Sequence, residues 1–163
     1  MYNPFPFDDP KPINRPKLSE KTINSIVAGG TPNVAKKFVA QIADRAKAEG
    51  VIVGIDGYTT ANWNLFVNLV ARECVINGLE LEVVDAAKAV LKSGKEIDDM
   101  IDPLLIWDTK IDPTLLYGKL YHGGYIGLFD QAKMEQFRKD VPAMKAPGKL
   151  VVVAGYGCMI AEL

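Results

Sequence analysis

The chain is poor in the residues that build cross-linked or metal-bearing sites: it has two cysteines, Cys74 and Cys158, and one histidine, His122. Two cysteines far apart in apolar surroundings make no disulfide framework. Cys74 falls on the apolar stripe of an expected helix, where core packing is its role. A single histidine excludes the zinc-type cluster that needs several, and no Ser-His-Asp or Cys-His setting surrounds it. His122 reads as a hydrogen-bonding loop residue. An excess of positive charge is also missing: 19 Lys and Arg stand against 20 Asp and Glu, a formal charge of −1. Bulk attraction to nucleic acid or to an anionic membrane therefore has no basis, and neither partner is expected. The apolar runs are too short to span a bilayer. The opening MYNPFPFDDP has no basic region followed by an apolar run, so no secretory signal is expected and the cytoplasm is the expected location.

What is present fits one soluble α/β domain. At 163 residues the chain is long enough for a real core. Residues 1–18 carry five prolines, at 4, 6, 10, 12 and 16, and read as an extended arm. Tyr2, Phe5 and Phe7 in that arm are expected to dock across the domain surface, with a partner as the alternative. Ser19 is the expected N-cap of a short helix ending at Gly29-Gly30. Thr31-Pro32 signals the start of a second helix, whose stripe of Val34, Phe38, Ile42 and Ala46, flanked by Ala35 and Val39, runs to Gly50. Val51-Ile-Val-Gly-Ile55 reads as a strand buried on both faces. Trp63, Phe66, Val67, Val70 and Cys74 then mark a helix closed by Gly78. A second strand spans Leu79 to Val84 and ends at Asp85, so a right-handed βαβ unit with parallel pairing is expected. A helical turn follows at 86–91. Ser93 and Glu96 form a capping box, and Pro103 stops the helix it opens. Residues 104–127 lack a period and read as irregular structure or a lid. Asp130 opens a helix with Met134 and Phe137 inward, with Pro142 and Pro147 at its exit. Residues 149–154 form the third strand. A sheet of three parallel strands is thin, so a fragment of a longer polypeptide is expected, with a compact or oligomeric domain as the rival.

The stretch VIVGIDGYTTANWN gives the site hypothesis. A buried strand passing through a glycine turn into a helix leaves the helix's first N–H groups for an anion. Set against G-x-x-x-x-G-K-[ST], Asn62 replaces the second glycine, Trp63 the lysine and Asn64 the metal-binding hydroxyl. Those losses remove the contacts that phosphoryl transfer requires. Gly57, Thr59, Thr60 and Asn62 remain as candidates for holding a phosphate, with Lys119 as the spare cation. A tight strand-to-helix turn with capping threonines explains the same residues equally well. Ligands of open α/β sheets bind at the carboxyl ends of the strands, where Asp56, Asp85, Gly155 and Gly157 fall. Each aspartate alone also reads as a cap on the following turn.

GIDGYTTANWN, the aspartate closing the second strand, the DP-x₃-YGKLYHGG segment and VVVAGYG together resemble a degenerate uridine-kinase-type P-loop domain. More narrowly, they are similar to the kinase-like N-terminal region preceding the cupin in some long bacterial class I mannose-6-phosphate isomerase-like proteins. The resemblance implies a three-layer P-loop-kinase-like parallel sheet, truncated after its third core strand. It implies a nucleotide or sugar phosphate as ligand, a nucleotide with Mg²⁺ as the candidate cofactor, and a C-terminal isomerase domain as partner, while the thin sheet leaves a homo-oligomeric copy as the other candidate partner. By the same resemblance Asp85 occupies the place of the aspartate that acts near the phosphate acceptor. Asp112, heading the DP-x₃-YGKLYHGG segment, is a further candidate. Three functions follow as expectations: a small-ligand-binding kinase-like domain, a docking or regulatory domain, and an active kinase with a relocated lysine at Lys119.

Overall fold

In the computed structural model the described residues are 18–26, 29–57, 61–114 and 118–159. The arm as far as residue 17, the expected phosphate contacts Thr59 and Thr60, and residues 160–163 lie outside them. The elements run α1 (Glu20–Ser25), α2 (Gly30–Glu49), β1 (Val51–Ile55), α3 (Trp63–Ile76), β2 (Glu80–Asp85), α4 (Ala86–Val90), α5 (Gly94–Ile101), α6 (Gln131–Ala143) and β3 (Lys149–Ala154). Two 3₁₀ turns, Asp102–Leu104 and Tyr125–Leu128, interrupt the irregular stretch before α6.

The three strands are parallel in the order β1-β3-β2. The mixed α/β class and the parallel sheet are as expected, but β1 and β2 do not pair with each other. Both pair with β3, which enters between them. The sheet's centre is therefore β3, and β1 is an outer strand, only partly buried beyond Val51. VIVGI and KLVVVA carry the same kind of apolar run, and pairing between segments a hundred residues apart leaves no local trace. The first connection crosses the sheet and the second comes back part of the way. Right-handed connections then place their helices on opposite faces, as observed.

Side chains on a strand alternate between faces, and β3 shows it directly. Leu150, Val152 and Ala154 join Ala35, Val39, Ala43 and Ala46 of α2 and Val70 and Cys74 of α3. Val151 and Val153 join Ala86 and Val90 of α4, Met134, Phe137 and Val141 of α6, and Phe129. All of β3 from Leu150 onward is buried because helices cover both faces. The two cysteines lie in these two separate clusters as free thiols, and burial pushes both above their ordinary value.

Local signals account for most element ends. Ser19, Asn62, Asp85, Ser93 and Asp130 each accept a backbone N–H as N-caps, and the Ser93–Glu96 capping box is complete. Gly50 closes α2 with φ of 75°, where a Cβ would strike the Ala146 backbone. Four expectations shift. Helix α1 ends at Ser25, with Ile26 already extended, rather than at Gly29-Gly30. Helix α2 begins at Gly30 rather than after Thr31, so Pro32 sits within the first turn, where its missing N–H would have had no helical partner. Its inward residues are Ala35, Val39, Ala43 and Ala46, while Val34 is exposed. The alanines let the helix backbone approach the sheet, and Phe38 reaches sideways to Phe66 of α3, ring centroids 6.0 Å apart. Pro142 lies inside the last turn of α6 rather than beyond it. Among the described residues no helix is long and apolar enough to cross a membrane.

Candidate functional site

A cleft of about 240 Å³ opens at the carboxyl end of the sheet on the α3 face. Trp63, Asn64 and Val67 from the start of α3 form one wall. Val83 and Asp85 at the end of β2, with Ala87 of α4, form the other, and Ala154, Gly155 and Tyr156 close the floor past β3. The fold places these groups together because all three strands point the same way. Strand parity sets Val83 and Asp85 on the α3 side of β2. Carboxyl ends of parallel strands are where such folds bind ligands, and an apolar cleft with a few convergent polar groups is the usual form of a small-molecule site.

Asp85 carries the acidic chemistry of the cleft and also has a local duty. Its Oδ1 accepts the Lys88 N–H at 3.1 Å, capping α4, and its Oδ2 lies 3.6 Å from Lys88 Nζ. The carboxylate is half exposed, so it can take a further donor. Gly155 has φ of 97° and donates its N–H to Ile55 O at 3.0 Å, which extends the β1–β3 register by one step. Tyr156 follows it. Its ring packs on Tyr125 (centroids 6.1 Å apart), which packs on the buried Phe129 (5.8 Å). The Tyr156 hydroxyl is buried and has no hydrogen-bond partner among the described residues. Burial, with Tyr156 and Asp56 nearby, holds the Tyr125 phenol above its ordinary value.

The turn after β1 is occupied differently from an anion cradle. A Cβ on Gly57 would lie 2.7 Å from Trp63 Cη2, so the indole ring covers this glycine. Asp56 Oδ1 accepts the Gly57 N–H at 2.8 Å. Asn62 Oδ1 accepts the Leu65 N–H at 3.0 Å, and the Trp63 N–H goes to Ala61 O at 2.9 Å. Several amides that an anion would use are thus engaged by the turn itself. Asp56 and Asn62 act here as caps, and Gly57 gives the indole its room.

The remaining candidates lie elsewhere. Gly157, with φ of 92°, packs against Val90 and Phe129 on the opposite face. Lys119 follows the short Leu105–Gly118 bridge, donates its N–H to Leu104 O and does not line the cleft. Asp112 is buried, and its N–H goes to Asp108 O. Of the sequence candidates, then, the cleft gathers Asp85 and Gly155. Trp63, Asn64 and Tyr156 line it without having been singled out as binding residues. Their signal was available: Trp63 and Asn64 open the helix after the turn, and Tyr156 lies between the two chosen glycines of Gly-Tyr-Gly.

A nucleotide with Mg²⁺ fits this arrangement poorly. The lysine and hydroxyl positions hold Trp63 and Asn64, Asp56 is turned onto Gly57, and no group of three or more His, Cys, Asp or Glu among the described residues could hold a metal. Trp63, Asn64 and Tyr156 bound a small, largely apolar cleft, and its acidic group, the Asp85 carboxylate, is half exposed.

No curated protein and no solved structure matches the chain. A family model described as a domain of unknown function, DUF8485, matches residues 35–163, a span that takes in all three strands and every residue lining the cleft. The chain belongs to the DUF8485 family.

Proposed function

We propose that this domain binds a small ring-bearing molecule in the cleft between α3 and the ends of β2 and β3, as a kinase-like domain that does not transfer phosphoryl groups at its Gly57 turn. One observation carries the reading: Trp63 and Asp85 both line one small cleft at the carboxyl end of a parallel sheet. An indole gives apolar area to a ring, and a carboxylate accepts a hydroxyl. The ligands implied by the resemblance, a nucleotide or a sugar phosphate, both carry such a hydroxylated ring. Their phosphate would lie outside the cleft. A place beside a mannose-6-phosphate isomerase-like protein belongs to the same proposal. The test is a thermal-shift and calorimetry panel of nucleosides, hexoses and their phosphates on the wild type and Trp63→Ala. Binding that Trp63→Ala abolishes supports the reading, and a wild type that binds none of the panel removes it.

A docking or regulatory role is the second reading. It is favoured by the outer sides of β1 and β2, which pair with no strand among the described residues, and by Val75 and Ile76, both exposed at the end of α3. An unpaired strand edge is a template for another chain. Sedimentation that shows a monomer at all concentrations would count against self-association. An active kinase relying on Lys119 gains nothing from the position of that lysine, which does not line the cleft.

A further inference from the structure

We infer that the outer edge of β1 pairs with the same edge of a second copy of this chain, antiparallel about a two-fold axis at Val53, so that two three-stranded sheets join into one. The inference rests on the docking reading above and goes beyond it in naming the edge, the partner and the register. Ile55 O accepts the Gly155 N–H on the β3 side. Backbone groups alternate in direction along a strand, so Val51, Val53 and Ile55 turn theirs to β3, while Ile52 and Gly54 turn theirs outward. No strand among the described residues takes those outward groups, and Gly54 is exposed.

The two outer edges of the sheet are not alike. β2, ELEVVD, carries Glu80, Glu82 and Asp85, and charges on an edge strand oppose pairing with another chain. β1, VIVGI, carries none and is complementary to itself when reversed. With Val53 opposite Val53, Val51 lies opposite Ile55 and Ile52 opposite Gly54, the large residue facing the one without a side chain. In that register Ile52 and Gly54 exchange both backbone bonds, and the axis falls on a pair that makes none. The axis keeps like faces level. Val51, Val53 and Ile55, which pack with the α2–α3 cluster, therefore meet their counterparts on that side, where cross-strand apolar pairs stabilise a sheet. The strand's ends are complementary in charge. Asp56 follows β1 and is exposed, and the reversed strand brings it to Gly50 of the copy. There Arg45 and Lys145 flank Glu49, a group with net positive charge. A second copy is the occupant that this pattern selects, because an isologous contact requires a self-complementary patch.

The experiment combines sedimentation of the wild type, Gly54→Pro and Val83→Pro with oxidative cross-linking of Val53→Cys and Val83→Cys. The wild type should run as a concentration-dependent mixture of a 17.8 kDa monomer and its dimer. Gly54→Pro removes an outward N–H from each copy and should raise the dimer dissociation constant about tenfold or more. Val83→Pro makes the same change on the β2 edge and should leave the constant alone. Melting curves show whether each variant is folded, and if Gly54→Pro is not, the cysteines decide. The Cα atoms of a non-hydrogen-bonded pair lie about 4.5 Å apart, within disulfide range. Val53→Cys should therefore lock the dimer on oxidation, and Val83→Cys, at a site 45% exposed, should not. Native Cys74 and Cys158 are buried and stay out of the reaction. A dimer that ignores Gly54→Pro and cross-links through Val83→Cys overturns the β1 assignment and leaves the docking reading intact. A dimer weakened by Gly54→Pro that Val53→Cys does not lock overturns the register. A wild type that stays monomeric at all concentrations overturns the whole inference. Slow exchange of the Ile52 and Gly54 amides in that monomer would show the chain covering its own edge, and fast exchange would leave docking to a strand of another protein.

Discussion

Replacing Asp85 by alanine and by asparagine separates its two duties. As the N-cap of α4 it accepts the Lys88 N–H at 3.1 Å. That helix, Ala86–Val90, is too short to hold itself together, so it depends on its cap and on Ala86 and Val90 buried against its surroundings. Loss of an aspartate cap to alanine costs about 1 kcal/mol. The ion pair with Lys88 adds little, since the two side chains are 50% and 87% exposed. In a domain of this size about 1 kcal/mol lowers the melting temperature by roughly 2–4 °C, and in urea it moves the midpoint by about 0.5 M for a slope near 2 kcal/mol/M. Asparagine caps as well as aspartate, so Asp85→Asn should melt with the wild type. Affinity for a hydroxylic ligand should divide the variants differently. Hydrogen bonds to charged groups contribute about 1.5–3 kcal/mol, so both variants should bind roughly tenfold or more weakly. Urea titration and calorimetry on the same three proteins read both effects. The reasoning is refuted by Asp85→Ala unfolding at the wild-type midpoint, or by Asp85→Asn binding like the wild type.

Other perturbations test the fold and its charges. Leu150→Ala, at a fully buried site in the central strand, should cost about 2–5 kcal/mol in urea, whereas Val83→Ala on an outer strand should cost far less because Val83 is 45% exposed. Equal costs would contradict the strand order. Gly57→Ala should push the Trp63 ring from its seat, changing indole emission in a Trp107→Phe background and weakening cleft binding; unchanged emission would show that the ring does not rest on Gly57. Arg45, hydrogen-bonded to Glu49 at 2.6 Å, and Lys145 nearby hold the Glu49 carboxyl below its ordinary 4.5. The stability it contributes is therefore present above pH 4.5 and lost as pH falls through its lower folded-state midpoint. An NMR titration of Glu49 at or above 4.5 would contradict the pair.

Local chemistry made much of this fold legible in the sequence. Ser19, Ser93 with Glu96 and Asp130 announced their helices because a cap is a short-range hydrogen bond, and Gly50 announced an end because its backbone requires a positive φ. Strand order was not legible. The VIVGI run reads as a central strand in isolation, but β3 arrives a hundred residues later and takes that place. The inward face of α2 also depended on its partner. Phe38 is the larger hydrophobe, yet the alanines face the sheet because it approaches closely, and Phe38 turns toward Phe66. At the site, Asp85 and Gly155 were found because strand ends converge in any parallel sheet. Asp56 and Gly157 were read by the same rule, but Asp56 accepts the Gly57 N–H and Gly157 packs on the opposite face, while Lys119, read as a spare cation, does not line the cleft. The glycine at 57 suggested an anion, while its neighbour six residues on supplies an indole instead.

The central claim is that the space bounded by Trp63, Asp85 and Tyr156 receives a ligand. Its most direct test is an amide and indole chemical-shift map of the ¹⁵N-labelled chain titrated with uridine and with mannose. The expected result is saturable shifts at the Trp63 indole N–H and at the Asn64, Ala87, Gly155 and Tyr156 amides, with the remote end of α2 unmoved. Saturable binding that leaves those five signals in place and shifts another surface would contradict it.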